Sequence, residues 1–249
     1  INRHSMAGLL NGKIAIVTGG SKGIGFGIAE RFTNEGATVI ICSRTESNLS
    51  EASNRIGCDF HQLDVSDSKN IKSMVEWFTE KYGKLDILVN NAGLIRPGGI
   101  NDVTEEDWDL QLDVNLKGPY LMSNHFLPYM NEGGSILNIA STVGLRAMRG
   151  AAAYCASKGG VVNLTKAMAL DLAGKIRVNC ICPAVVDTPM VDERVQSGNV
   201  SRQVLEKVQP IGRMGKPAEI ASMALHLCGP EAEWTTGSII TVDGGQTAA

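Results

Sequence analysis

Tyr154 and Lys158 lie four residues apart, and their types and spacing suit acid–base chemistry. On a helix this spacing places both side chains on one face, about one turn apart. A phenol titrates near pH ~10 when unperturbed, and a neighbouring fixed cation lowers that pKa by favouring the phenolate. The pair therefore predicts proton transfer to or from the oxygen of a ketone or an alcohol. A Tyr-x-x-x-Lys pair alone also describes an exposed tyrosine beside a solvated lysine, so its interpretation depends on the rest of the chain.

A glycine-rich turn, TGGSKGIG at residues 18–25, lies between the first predicted strand and the first predicted helix. A strand, glycine turn and helix in this order bring the backbone close to a pyrophosphate and direct a helix N-terminus at it. The spacing is G-x-x-x-G-x-G rather than the commoner G-x-G-x-x-G, and a merely tight turn is the alternative interpretation. We predict a dinucleotide site formed by Gly19, Ser21, Lys22, Gly23, Ile24 and Gly25.

The end of the second predicted strand indicates which dinucleotide binds. Dehydrogenases that use NAD place an acidic residue there, whereas this strand ends in Cys42-Ser43-Arg44. Arg44 would attract a 2′-phosphate, Ser43 would donate a hydrogen bond to it, and Lys22 would add a second cation. Lys22 or Arg44 alone could be an ordinary surface charge. Together they predict NADP(H) rather than NAD(H).

Apolar, β-rich segments alternate with helical patterns along almost the whole chain. Strands are predicted over 13–18, 38–42, 58–63, 85–89, 135–140, 177–181 and 238–242, and helices over 24–35, 71–82, 105–130, 152–172 and 217–227. Continuous Val/Ile segments are typical of parallel strands buried on both faces, and the intervening helices supply right-handed crossovers. The predicted fold is one doubly wound, Rossmann-like α/β domain over residues 6–249, with a seven-stranded parallel sheet flanked by helices on both faces.

Two segments stand apart from this pattern. Residues 1–5, which precede Met6, are interpreted as a cloning remnant and take no part in the predicted fold. Residues 185–208 are polar and mixed, with short helical stretches, and are interpreted as a lid over the substrate.

Composition excludes several classes of protein. The 249 residues carry a net charge of −3 without a basic cluster, which argues against nucleic acid as a partner. No apolar stretch reaches the ~20 residues of a membrane span, and the first residues lack the apolar core of a signal peptide. Six scattered cysteines without a C-x-x-C pair and four histidines without ligand spacing predict a reducing, cytoplasmic location and no metal site.

The motifs in this order resemble those of the short-chain dehydrogenase/reductase family, in its single-domain branch of chains of this length. The resemblance runs from Gly12 to Gly245 and includes the glycine turn, Asp64, NNAG at 90–93, Asn115, Ser141 and Tyr154-x-x-x-Lys158. It implies an NADP-dependent carbonyl reductase or alcohol dehydrogenase in which Tyr154 is the general acid and base. Lys158 would lower the pKa of Tyr154 and hold the nicotinamide ribose, and Ser141 would orient the reacting oxygen. Asn115 would anchor a water-linked proton path to Lys158.

The resemblance also implies further cofactor contacts. Asp64 and Val65 would contact the adenine, and Asn90 would lie beneath the adenosine ribose, followed by Asn91, Ala92 and Gly93. Pro183, the Val186 backbone and the Thr188 hydroxyl would hold the nicotinamide carboxamide. This chain has Pro183-Ala184 where the family usually has Pro-Gly, a substitution that would be costly if the backbone were left-handed there. Pairing of the helices at 105–130 and 152–172, with the last strand at a second interface, would give a homotetramer.

The expected substrate is a small carbonyl compound or alcohol, and its identity stays open. The predicted pocket is mostly apolar, with Arg96 as one possible anion-binding residue, and comprises Leu94, Ile95, Arg96, Thr142, Val143, Met148, Val185, Met190 and parts of 191–208. A medium-sized ketone or secondary alcohol fits, while a steroid, sugar, polyol or acyl thioester is not excluded.

Two other functions are considered. The first is 3-oxoacyl-(acyl-carrier-protein) reductase, which ranks second because an acidic carrier needs a basic docking face and only Lys175 and Arg177 are near. The second is a non-enzymatic NADP-binding regulator with the same fold, which the complete set of catalytic residue types argues against.

Overall fold

The centre of the protein, in this computed structural model, is one sheet of seven parallel strands. The structure describes residues 8–198 and 200–248, so the interpretation of residues 1–5 lies outside the described part. The strands are β1 (Ile14–Thr18), β2 (Thr38–Ser43), β3 (Asp59–Gln62), β4 (Leu85–Asn90), β5 (Met130–Ile139), β6 (Ile176–Pro183) and β7 (Ile239–Val242). Their order in the sheet is β3-β2-β1-β4-β5-β6-β7. The predicted seven-stranded parallel sheet is confirmed.

Helices cover both faces of the sheet. They are α1 (Gly23–Asn34), α2 (Glu46–Ile56), α3 (Ser68–Tyr82), α4 (Glu105–Leu112), α5 (Gly118–Phe126), α6 (Ala152–Asp171), α7 (Pro189–Gln196), α8 (Arg202–Lys207) and α9 (Pro217–Cys228). Successive strand residues point to opposite faces. In β1, Ala15 and Val17 therefore pack in the core with α1, α2 and α9, whereas Ile16 packs in the core with α3 and α5. No described helix is long and apolar enough to cross a membrane.

The strand order reverses beside β1, which pairs with β2 on one side and with β4 on the other. The connections that leave these strands therefore run to opposite faces and open a crevice beyond the carboxyl ends of the strands. Open α/β sheets bind their ligands at such a point.

The helix predicted over 105–130 is interrupted in the structure. A π-helical turn at Asp113–Lys117 separates α4 from α5, a 3₁₀ turn at Leu127–Tyr129 follows α5, and β5 already begins at Met130. Pro119 explains the first break, because proline has no N–H to donate to the carbonyl four residues earlier. Pro128 lies in the second break. Residues 105–129 are thus helical throughout, as predicted, but with a π-helical middle and a 3₁₀ end, and Met130 belongs to β5 instead.

Two further differences concern short helices. The sequence prediction missed α2, and the segment 185–208 contains α7 and α8 as its short helical stretches.

Candidate active site

The glycine turn is fixed to the end of β4 by hydrogen bonds from two residues. The Thr18 hydroxyl accepts from the backbone N–H groups of Asn91 and Ala92, both at 3.0 Å. The Asn91 amide nitrogen donates to the carbonyls of Thr18 at 3.0 Å and Gly19 at 3.2 Å. The carboxyl ends of β1 and β4 are thus held together as one wall of the crevice.

Three glycines of the turn are required by the backbone. Gly19 and Gly23 have φ values of +63° and +59°, in the left-handed region that favours glycine. A Cβ on Gly19 would lie 2.9 Å from the Cα of Ala92, and a Cβ on Gly25 would overlap the Gly19 carbonyl oxygen. The helix α1 begins at Gly23, so its N-terminal N–H groups face the crevice. This arrangement can receive a pyrophosphate.

A cleft of about 300 Å³ follows the carboxyl ends of β1, β2, β4 and β5. The predicted cofactor residues that line it are Gly19, Ser21, Lys22, Gly23, Ile24, Ser43, Arg44, Asp64, Val65, Asn91, Ala92, Gly93, Tyr154, Lys158 and Thr188. Three predicted cofactor residues are not among those that line the cleft, namely Gly25, Pro183 and Val186. Asn90 is buried and does not face the cleft. Its side-chain amide donates to the Ser123 hydroxyl and to the side-chain oxygen of Asn138.

One end of the cleft is suited to a phosphorylated ribose. The Ser43 hydroxyl is buried without a hydrogen-bond partner among the described residues. Arg44 is exposed beside it, and no ion pair of Arg44 occurs within the described ranges. The Lys22 ammonium lies 3.7 Å from Glu193 on α7. This end of the cleft fits the phosphate of a dinucleotide, because it combines the unpaired Ser43 hydroxyl with the basic side chains of Lys22 and Arg44.

Sequence reasoning missed two lining residues at this end, Thr45 and Asn48, because it missed α2. Thr45 is the N-cap of that helix and makes no side-chain cap hydrogen bond. Asp64 lies opposite, and its carboxylate accepts from the N–H and the hydroxyl of Ser66 at 2.9 Å and 2.6 Å.

The other end of the cleft brings together the predicted proton-transfer residues. Tyr154 and Lys158 lie on one face of α6, with the Lys158 ammonium 5.7 Å from the centre of the Tyr154 ring. That ammonium donates to the Ile139 carbonyl at 3.0 Å. Ser141 follows β5; its hydroxyl is close enough to Tyr154 to lower the pKa of the phenol, and it accepts from the Val143 N–H at 3.3 Å.

Asn115 lies in the π-helical turn and is buried. Its carbonyl oxygen accepts from the Leu94 N–H, and its amide nitrogen donates to the Leu94 carbonyl, both at 2.8 Å. The amide also donates to the Ser157 hydroxyl at 3.1 Å. Asn115 therefore ties the segment after β4 to α6, next to Lys158 but behind the cleft lining.

The protonation states differ from the sequence prediction. Burial raises the pKa of Tyr154 to about 12, while the hydrogen bond with Ser141 and the positive charge of Arg194 act in the opposite direction. Burial also lowers the pKa of Lys158 to about 8. Burial thus favours the neutral form of both groups, and in Tyr154 it outweighs the charges nearby. At neutral pH the phenol keeps its proton and can donate it.

The segment 183–188 reaches the cleft through Thr188. Val186 pairs with Gly215, and Thr188 begins α7 with its side chain against the glycine turn, 3.3 Å from where a Cβ on Gly23 would lie. No described residue other than glycine has a positive φ, so Ala184 is not left-handed. The alanine in place of the usual glycine is accommodated without backbone strain.

The predicted substrate pocket is only partly assembled. Leu94 and Met190 line the cleft, whereas Thr142 is buried and donates to the Gln246 side-chain oxygen at 2.7 Å. Arg96 is outside the lining, with its Nε 4.0 Å from the Asp107 carboxylate. Because its guanidinium already faces the Asp107 carboxylate, Arg96 is a poor candidate for the predicted anion-binding residue.

Comparison with known proteins assigns this arrangement to a family. A sequence model described as enoyl-(acyl carrier protein) reductase matches residues 19–247. A 3-oxoacyl-[acyl-carrier-protein] reductase FabG of Thermotoga maritima is 40% identical over 244 residues, covering 95% of this chain and 98% of the relative. A dehydrogenase/reductase SDR family member 6 of Rattus norvegicus is 35% identical over 245 residues, covering 96% and 98%. The chain belongs to the short-chain dehydrogenase/reductase family.

A solved structure of this family supports the assignment. The ligand-free aldohexose dehydrogenase of Thermoplasma acidophilum superposes with a TM-score of 0.88 at 36% identity, over 96% of each chain. Members of the short-chain dehydrogenase/reductase family are oxidoreductases that use a nicotinamide cofactor and act on small molecules. The glycine cradle and the unpaired Ser43 hydroxyl in this cleft fit such a cofactor.

Proposed function

We propose that this protein is an NADP(H)-dependent carbonyl reductase that interconverts a ketone and a secondary alcohol. The observation that carries this proposal is the assembly of Ser141, Tyr154 and Lys158 at one end of a cleft whose other end holds Ser43 and Arg44. Family membership supports the reaction class, and the absence of an acid after β2 supports the phosphorylated cofactor.

Different cleft residues would bind different parts of the cofactor. The N–H groups at the start of α1 would bind the pyrophosphate, and Lys22, Ser43 and Arg44 would bind the 2′-phosphate. Further contacts would come from Asp64 and Val65 to the adenine, from Asn91, Ala92 and Gly93 along the β4 end, and from Pro183, Val186 and Thr188 to the carboxamide. When bound, the nicotinamide cofactor donates or accepts the hydride.

Proton transfer falls to the residues on α6 and their neighbours. Tyr154, protonated at neutral pH because burial raises its pKa to about 12, would give its proton to the carbonyl oxygen. Ser141 would hold that oxygen through its hydroxyl. Lys158 would bind the ribose hydroxyls, and Asn115 would keep the segment at Leu94 in place beside it.

The choice of cofactor is tested at Arg44. Arg44→Ala removes a charge-assisted hydrogen bond to the 2′-phosphate, so the Kd for NADPH should rise by roughly 10- to 100-fold while the Kd for NADH stays nearly constant. Binding is measured by cofactor fluorescence, with Arg55→Ala at the far end of α2 as the charge-matched control. Equal losses for both cofactors in Arg44→Ala would refute the assignment.

A second candidate function is reduction of a 3-oxoacyl thioester on an acyl carrier protein. It is favoured by the 40% identity to the T. maritima enzyme of that name. The basic docking face is weak, because the Arg177 guanidinium is occupied by the carbonyls of Leu227, Gly229 and Thr235, which leaves Lys175. Saturation at low carrier-protein thioester concentration, with poor turnover of free ketones, would place this function first.

We also propose a single domain over residues 6–249, a cytoplasmic location and a lid formed by residues 185–208. Thr188, Pro189 and Met190 of that segment line the cleft, which suits a cover that moves with the ligand. We propose a homotetramer on the resemblance to the family, and note that Leu170 on α6 and Trp234 before the edge strand β7 are exposed apolar residues that subunit contacts could cover.

A further inference from the structure

The helix α7 presents a positive charge at the end of the cleft where the proton-transfer residues lie. Met190 lines the cleft, and Arg194 follows it by four residues, so both lie on the same face of α7. Side chains on a helix lean toward its N-terminus, which directs Arg194 over Met190 rather than away from it. Arg194 is not itself among the residues that line the cleft, but it lies on the face of α7 that carries the lining residue Met190.

Arg194 lacks a partner, unlike its charged neighbours. Asp192 pairs with Arg202 at 3.0 Å, and Glu193 lies 3.7 Å from Lys22. Within residues 8–198 and 200–248, no ion pair or side-chain hydrogen bond involves the Arg194 guanidinium, although the residue is only partly exposed. A partly buried cation without an acceptor leaves donors free for a ligand.

The surroundings of Tyr154 are electropositive. The positive charge of Arg194 is close enough to favour the phenolate of Tyr154, as a ligand-binding cation beside the reacting group would. Of the charged residues that line the cleft, Lys22, Arg44 and Lys158 are cations, and the one acid, Asp64, lies at the adenine end. An anion near Tyr154 would meet no carboxylate among these lining residues.

We infer that the substrate of the proposed reduction carries a carboxylate, which Arg194 binds while Tyr154 protonates the carbonyl oxygen. This inference rests on the proposed function. A planar guanidinium matches a carboxylate in two parallel hydrogen bonds, and its single charge balances a singly charged oxo acid. A phosphate dianion would call for more donors than this one side chain. Arg194 takes the role that the sequence suggested for Arg96.

The experiment compares oxo acids with their neutral methyl esters. With NADPH, kcat/KM is measured for 2-oxobutanoate, 3-oxobutanoate and 4-oxopentanoate and for the three esters, because the spacing between carbonyl and carboxylate is part of the question. The wild type should prefer at least one acid over its ester. Arg194→Ala should lower kcat/KM for that acid by roughly 10- to 100-fold, mainly through KM, and change the ester by less than about threefold.

Two variants separate charge recognition from a folding defect. Arg194→Lys should recover part of the activity on the acid, and Lys207→Ala, which removes an exposed charge from the same segment, should change neither substrate. Equal losses on acid and ester in Arg194→Ala, or a wild-type preference for every ester, would overturn the inference. A preference for dihydroxyacetone phosphate over dihydroxyacetone, stronger than any preference for an oxo acid, would overturn the carboxylate assignment.

A binding measurement distinguishes failure of this inference from failure of the proposed function. If no carbonyl compound is reduced with either cofactor, the proposed function fails, and the site is then tested by thermal shift of the NADPH-loaded protein. Stabilisation of the wild type but not of Arg194→Ala by one of the oxo acids would support the anion site. The same shift in both proteins, or none in either, would contradict it.

Discussion

Folding lowers the pKa of Lys158 by burying its ammonium group. Its ammonium is buried among β5, α6 and the segment after β4, donates to the Ile139 carbonyl, and lies beside the Tyr154 ring. Burial brings its pKa to about 8, so its charge is lost just above physiological pH. Tyr154, in contrast, stays protonated throughout this range. At neutral pH Lys158 is therefore mostly charged, and Tyr154 has a proton that it could donate.

This difference predicts a pH profile. Below pH 8 Lys158 is charged and holds the ribose hydroxyls, and above it the neutral amine binds them less well, so kcat/KM for NADPH should fall as pH rises through about 8. Initial rates between pH 6.5 and 9.5 measure this quantity for the free enzyme. Lys158→Arg, which stays charged, should lose the inflection even if its rate is lower. A flat profile for the wild type would show that the Lys158 charge is unimportant.

At the level of elements, the helix α1 depends on a close approach between its first turn and β1. Gly25 packs against the Gly19 carbonyl and the Asn91 amide, which themselves join β1 to β4. The turn thus holds the strand ends together, and its free N–H groups would bind the pyrophosphate of the proposed cofactor.

Gly25→Ala should therefore damage both folding and cofactor binding. The added methyl must displace backbone, and we expect a loss of about 1–3 kcal/mol in the free energy of unfolding together with weaker NADPH binding. Chemical denaturation and cofactor fluorescence measure the two effects. Gly159→Ala in α6 is the matched control, because its Cβ would lie 3.6 Å from the nearest atom outside its own helix backbone and should be tolerated. Similar behaviour of the two variants would contradict the close-packing argument.

Sequence patterns predicted most elements because buried parallel strands are continuous Val/Ile segments and amphipathic helices are periodic. These patterns failed where the residue types of a segment suit more than one kind of structure. Helix α2 is rich in Ser and Asn, which resemble a loop, and only Leu49 and Ala52 are buried in it. The π-helical turn around Asn115 has the same apolar spacing as a straight helix. The cleft residues Thr45 and Asn48 were missed because α2 was missed.

The sequence also could not show the protonation states of the site residues or which charged residues form ion pairs. The sequence identified Tyr154, Lys158 and Ser141 by residue type and family resemblance, but burial sets their pKa values and depends on the folded chain. Arg194 was unremarkable in sequence because its lack of a partner becomes visible only when Asp192 and Glu193 pair elsewhere.

At the scale of the whole molecule, the described surface has apolar residues that a monomer would leave in water. Leu170 is 79% exposed, and Trp234 is fully exposed. They lie on different elements, α6 and the connection before β7, which suits an assembly with two kinds of interface. A homotetramer is expected from the family resemblance, and subunit contacts at these two residues would remove them from water.

Leu170→Glu should reduce the assembly to a smaller oligomer, because burying an unpaired carboxylate in an apolar interface is unfavourable. Light scattering coupled to gel filtration measures the mass of wild type and variant. Leu9→Glu, at a partly exposed position remote from both elements, should leave the mass unchanged. A wild type that is monomeric at working concentration would refute the tetramer.

The central claim, hydride transfer from NADPH to a carbonyl with Tyr154 as the proton donor, is tested most directly by isotope transfer. A ketone or oxo acid that the enzyme reduces is incubated with NADPH deuterated at the transferring position, and the alcohol is analysed by mass spectrometry. We expect deuterium on the carbinol carbon with wild type, and at least about a hundredfold less product with Tyr154→Phe at unchanged NADPH affinity. NADPH binding without deuterated product in the wild type, or equal product from Tyr154→Phe, would contradict it.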